Sequence, residues 1–207
     1  IRSTPLLNNY IDPYPEDVLL YLDSFKKKHP FTFFANMVDR FKDLKVLLIG
    51  ETIIDQYDYV EAMDISSKGG IMANRHLSSE CFVGGILACA NHMATFCSTV
   101  DVVSALGTKN SHEDFIRRSL AENVKPWFLT REGLDTLVKQ RQVETNYFTK
   151  QSETYHGDES CLQEAEEERL LARLIGVIDD YDLVFVVDYG HGLMTPRTID
   201  FISNKFH

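Results

Sequence analysis

Leu183-Val184-Phe185-Val186-Val187-Asp188-Tyr189-Gly190-His191-Gly192 is an apolar pentamer that runs directly into an aspartate and two glycines. Five apolar residues without alternation read as a strand covered on both faces, as strands of a parallel sheet are. Glycine permits a sharp turn or a close approach of backbone to a ligand. The stretch therefore predicts a strand that delivers Asp188 to the carboxyl edge of a sheet, where open α/β folds bind ligands.

The residues upstream fit the same plan. Val46-Leu47-Leu48-Ile49 is a second short apolar strand, ending at Gly50. An extended segment is expected from about Met72 to Phe82, followed by Gly84-Gly85 and a helix through Phe96. Thr99 to Ser104 reads as a strand, Glu113 to Glu122 as a helix, and Trp127 to Leu129 as a strand. Residues 137 to 149 alternate as a β excursion, with Leu137, Lys139, Arg141, Val143 and Thr145 on one face. Leu162 to Ile178 is a long glutamate-rich helix, and Thr195 to Phe206 is another. Strands alternating with helices imply an α/β fold with a doubly wound, mostly parallel sheet. Residues 1 to 43 read differently, as a tail and linker. Pro13 and Pro15 precede an amphipathic helix that closes on Lys26-Lys27-Lys28, and Phe33 to Phe41 forms a second one.

Composition narrows the class. The 207 residues, 44% of them hydrophobic, suit one α/β domain with an appendage. A formal net charge of −10 argues against a nucleic-acid partner. No apolar run approaches the roughly 20 residues that span a bilayer, and no signal peptide is recognised, so no membrane partner is expected. Cys81, Cys89, Cys97 and Cys161 form no C-x-x-C pair and read as buried thiols of a cytoplasmic protein. The chain opens at Ile1, which suggests a piece of something longer.

Four constellations can carry chemistry. In Gly50-Glu51-Thr52-Ile53-Ile54-Asp55 an aspartate follows a strand end; it either accepts hydrogen bonds from neighbouring hydroxyls of a polyol or caps a turn. Gly84-Gly85 opens a helix whose first N–H groups can meet a hydroxyl or an anion, and Asn91 lies within that helix as ligand or packing residue. Lys139 and Arg141 share one strand face, suited to a phosphate or to keeping an edge strand soluble. Asp188 can face a metal ion or polarise a bound group. No metal ligand set is read from the sequence.

Taken in order, Gly50 to Asp55, Gly84-Gly85, Lys139-x-Arg141 and Asp188-Tyr189-Gly190-His191-Gly192 resemble the PfkB (ribokinase-like) carbohydrate kinases over about residues 44 to 207. The nearest branch is the heptose-7-phosphate kinases of ADP-heptose synthesis, whose last motif usually reads D-Y-G-K-G. Ile1-Arg2-Ser3-Thr4-Pro5-Leu6 is similar to the I-S-S-T-x-L motif of cytidylyltransferase-like nucleotidyltransferases, where Ser3 and Thr4 would hold nucleotide phosphates. The resemblance implies a ribokinase-like fold with a small β lid, at about 51–82 and 137–149, truncated on its carboxyl-terminal side. It implies that Asp55, Gly84 and Gly85 hold the sugar, with Asn91 replacing the family's asparagine. Lys139 and Arg141 would grip a phosphate, and Asp188, Gly190 and His191 would stand near the phosphoryl-transfer centre. ATP and Mg²⁺ would serve the intact parent, a bifunctional kinase and nucleotidyltransferase, and two copies would pair through the lid.

The departures are specific. Gly84-Gly85-Ile86-Leu87-Ala88 stands for Gly-Gly-Ala-Ala-Asn, Gly107-Thr108-Lys109 for Gly-Asp-Asp, and His191 for lysine. The family's G-x-G-D segment, with its catalytic-base aspartate, is expected beyond residue 207, so no catalytic residue is assigned and the chain alone is expected to be inactive. A non-catalytic sugar-phosphate sensor or scaffold is the alternative. A dinucleotide-binding domain is disfavoured, because no G-x-G-x-x-G follows Val46 to Ile49.

Overall fold

The computed structural model describes residues 14–206. The chain divides into two compact units, residues 1–42 and 43–207. Ser3 and Thr4, and the motif that contains them, lie outside the described residues.

In the first unit, Pro15 and Pro30 stand immediately before helices α1 (Glu16–Lys28) and α2 (Phe31–Phe41). Their fixed φ suits a helix entry. Glu16 and Asp17 occupy the first turn of α1 and Lys26 to Lys28 the last, matching the helix dipole at both ends. The two helices meet through Phe25 and Phe34, ring centres 5.9 Å apart.

The second unit holds two four-stranded sheets. The first comprises β1 (Lys45–Gly50), β4 (Thr99–Lys109), β5 (Val124–Asp135) and β8 (Leu183–Val187), all parallel, in the order β5-β4-β1-β8. Central β1 is apolar and buried from Val46 to Ile49, with both its faces covered. Leu47 and Ile49 pack with Val103, Leu129 and the helices α5 (Glu164–Val177) and α6 (Pro196–Lys205), through Leu170, Leu174 and Ile202. By alternation Val46 and Leu48 face the other way, and α3 (Ile86–Met93) packs against β1 and β4.

Strand β8 departs from the sequence reading. Among the described residues it is a sheet edge, paired only with β1, and Phe185 and Val186 keep 38% and 42% of their surface. An apolar run reports a preference for burial, not which neighbours fulfil it.

Two helices stop earlier than their patterns predict, each for a tertiary reason. Helix α3 ends at Met93 rather than Phe96, where the Asn123 side chain donates to Ala94 O and Cys97 O at 3.0 and 2.8 Å. Helix α4 (Glu113–Ser119) ends three residues before Glu122, where the Asn91 amide captures Ser119 O and Ala121 N–H. The cysteines also differ from expectation: Cys97 is buried and Cys89 half-buried, but Cys81 and Cys161 are exposed.

The second sheet is ordered β3-β2-β6-β7, from β2 (Thr52–Ile65), β3 (Met72–Gly85), β6 (Val138–Glu144) and β7 (Thr149–His156). Strands β2 and β3 form a long hairpin, β6 runs parallel to β2, and β7 returns antiparallel. Strand β7 runs on past residue 149, where the β excursion expected from the sequence ends. Every one of its residues is exposed, so it carries no apolar alternation to be recognised. One face of this sheet carries a polar network centred on buried Asp58, which accepts from Gln56, Ser79 and Gln140. Burial works against the Asp58 charge, but these hydrogen bonds outweigh it and hold its pKa below the ordinary value.

Candidate functional site

Strand β1 ends at Gly50, and the next residue, Glu51, is a carboxylate with only 5% of its surface exposed. Its two oxygens accept the backbone N–H groups of Tyr189 and His191 at 3.0 and 3.2 Å. Its backbone carbonyl accepts the N–H of Ile86 at 2.9 Å, the first residue of α3. Glu51 thus joins three of the sequence motifs: the end of β1, the Gly84-Gly85 step and the turn after β8. In the sequence Glu51 stands inside the first motif without a role of its own. An acidic residue directly after a buried strand, where a solvated side chain is not expected, was the available signal.

Four residues on, Asp55 sits in β2 rather than in a turn, which removes the turn-cap alternative. One oxygen accepts from Arg141 Nη1. The other lies against Gly84, the partner of Ile53 across the hairpin; a Cβ at Gly84 would overlap Asp55 Oδ2 and lie 3.0 Å from its Cγ. The absent side chain at Gly84 is what makes room for the carboxylate.

Strand pairing places Asp55 beside Lys139 and Tyr57 beside Arg141, while Lys139 and Arg141 pair with Tyr155 and Glu153 of β7. These six side chains therefore share one face of the lid sheet. Arg141 Nε donates to Glu153 at 2.5 Å, and its guanidinium lies 5.5 Å from the centre of the Tyr57 ring. Burial opposes the Arg141 charge, but the bonds to Asp55 and Glu153 prevail and raise its pKa. Lys139 Nζ stands 4.9 Å over the Tyr155 ring.

The lid face meets the turn after β8. The rings of Tyr155 and His191 are 6.0 Å apart, and His191 Nδ1 lies 3.1 Å from Glu159. Burial above all, then Cys89, and less so Asp55 and Glu51, push the Tyr189 hydroxyl pKa up. Asp188 itself is turned onto the local backbone, accepting from Gly190 N–H at 2.8 Å. Behind the turn is a cavity of about 40 Å³ lined by Glu51, Arg131, Thr136 and His191 among others.

Asn91 is not part of this cluster. Its amide donates to Ser119 O and accepts from Ala121 N–H, both at 2.9 Å, which uses both of its ends. Asn91→Ala is therefore expected to cost about 2 kcal/mol of stability, as loss of two part-buried hydrogen bonds does. Urea denaturation checks the figure, and ligand affinity is expected to stay unchanged.

No protein-family model matches the chain. The bifunctional protein HldE of Campylobacter jejuni subsp. doylei is 28% identical over 161 residues, which is 78% of this chain and 33% of that protein. The bifunctional protein HldE of Syntrophotalea carbinolica is 26% identical over 168 residues, again 33% of its length. The chain thus spans about a third of the curated relatives it matches. Phosphofructokinase-2 from Escherichia coli, solved with fructose-6-phosphate, superposes with a TM-score of 0.58 at 13% identity, covering 78% of this chain and 51% of that one. Ribokinase from Giardia lamblia gives 0.50 at 17%, covering 69% and 44%.

The fold is ribokinase-like.

The chain is homologous to the HldE proteins over most of its length, and the ribokinase-like neighbours share its combination of a parallel sheet and a second sheet. None of its described helices is long and apolar enough to cross a membrane.

Proposed function

We propose that this chain is the sugar-binding part of an ATP-dependent kinase acting on a sugar or sugar phosphate, heptose phosphate by resemblance, within a bifunctional kinase and nucleotidyltransferase for nucleotide-sugar synthesis. One observation carries the reading: the Asp55 carboxylate, fitted into the gap at Gly84, shares a face with Arg141 and Lys139 beside the turn at the end of β8. A carboxylate suits sugar hydroxyls and the two cations suit a phosphate, the pair of contacts a phosphorylated sugar requires.

Each residue then has a task. Asp55 accepts from hydroxyls and fixes the orientation of the sugar. Lys139 and Arg141 hold the phosphate already on it. Glu51 sets the turn from Asp188 to Gly192 against the site, and Tyr155 and His191 close the lid face onto that turn. Such positioning is the main protein contribution to phosphoryl transfer. ATP would supply the γ-phosphoryl group. Among the described residues no three His, Cys, Asp or Glu side chains cluster as a metal site would need, so these residues do not by themselves fit Mg²⁺. No residue here is assigned as catalytic base. Pairing of two copies through the lid and a cytoplasmic location belong to the same proposal.

The test is ADP release by the full-length protein across a panel of heptose and hexose phosphates. Sugar-dependent release is the expected result. Binding without release would instead mark a sensor, and neither binding nor release would overturn the reading.

A further inference from the structure

Arg141 is already occupied. Its guanidinium is shared between Asp55 on β2 and Glu153 on β7, and only 14% of its side chain is exposed. The two carboxylates are not held alike. Asp55 is set into the gap at Gly84 on an inner strand, with 25% of its side chain exposed. Glu153 stands on an edge strand, with 38% of its side chain open to solvent. It also faces both lid cations: its partner across the ladder is Arg141, and Lys139 lies over Tyr155, two residues along the same face. A hydrogen bond from Tyr155, then those of Arg141 and the charge of Lys139, hold the Glu153 pKa below the ordinary carboxylate value, so it is an anion at neutral pH.

We propose that Glu153 is a built-in counter-ion, displaced from Arg141 and Lys139 by the anionic group of the substrate, and that it sets how strongly the site prefers phosphorylated over unphosphorylated sugars. The inference rests on the reading of Lys139 and Arg141 as a phosphate grip. A phosphate monoester carries close to two charges and three acceptor oxygens, against one charge for the carboxylate, so it wins the exchange. Releasing Glu153 costs little on its own side, because it stands at the solvent edge of the pair and the freed carboxylate returns to water. Asp55 keeps its hold on Arg141 during the exchange and stays aimed at the sugar. A neutral sugar brings nothing to displace Glu153, and a stray small anion must compete with it.

The test is Glu153→Gln, which keeps the shape and one hydrogen-bond acceptor and removes the charge. Calorimetry on the full-length protein would use fructose 6-phosphate, fructose and inorganic phosphate as probes. Affinity for fructose 6-phosphate and for phosphate is expected to rise roughly fivefold, with a steeper salt dependence, while fructose is unaffected. Lys139→Gln and Arg141→Gln are measured alongside. If they abolish the advantage of fructose 6-phosphate over fructose while Glu153→Gln leaves it equal or smaller, the counter-ion role is overturned and the grip stands. If neither lysine nor arginine matters to that advantage, or if no variant binds either phosphate probe, the grip reading fails and the inference fails with it.

Discussion

Glu51→Ala is expected to lower the free energy of unfolding by about 3 kcal/mol, more than most single substitutions do. Two effects oppose each other. Removing a buried carboxylate relieves its desolvation, which favours the variant. Against this, two charge-assisted hydrogen bonds are lost, each contributing about 1.5–3 kcal/mol, and the N–H groups of Tyr189 and His191 are left without a buried partner. The second effect wins because both donors are backbone groups fixed by the turn and cannot follow a new acceptor. Urea titration with an unchanged slope would register the loss as stability alone. Hydrogen exchange gives the local readout: the Tyr189 and His191 amides should lose protection beyond the global change. Unchanged protection at those two amides would mean that Glu51 does not hold the turn.

Gly84→Ala is expected to reduce sugar-dependent turnover of the full-length protein by about 100-fold, the order of loss that a 1 Å misplacement of a positioning group brings. The added methyl group would claim the space of Asp55 Oδ2, so the carboxylate must leave its position and Arg141 loses one partner. The stability cost should be smaller in consequence, about 1–3 kcal/mol, because a side chain that is one quarter exposed can move outward. The decisive measurement is a double-mutant cycle with Asp55→Ala. If Gly84 acts only by making room for that carboxylate, Gly84→Ala has almost no further effect once Asp55 is alanine. Additive losses would show that Gly84 serves the site in some other way.

Much of the fold is legible in the chain because its signals are local. The apolar runs at Val46–Ile49 and Leu183–Val187 mark parallel strands, and both form them beside each other. The paired cations at 139 and 141 do share a strand face, since the period of a β-strand is fixed by its backbone. What escaped has no local signature. Strand β7 is polar and exposed, and it is a strand only because β6 offers it a hydrogen-bonding edge. Helices α3 and α4 stop where Asn123 and Asn91 claim their last carbonyls, contacts made across about 30 residues of chain.

The site divides along the same line. Asp55, Gly84, Lys139 and Arg141 are present in the sequence as residue types in order. That Asp55 occupies the gap left by Gly84, that Arg141 is held between two carboxylates, and that Glu51 reaches the turn from Asp188 to Gly192 follow only from the folded chain. The sequence by itself determined the alternation of strands and helices that builds the parallel sheet and the chemical types delivered to its edge, because backbone periodicity and side-chain polarity act over a few residues, whereas strands β2 and β7 of the lid were not read from it. The tertiary structure decided which charges meet and which are satisfied, because hydrogen bonds and ion pairs depend on distances between segments far apart in the chain.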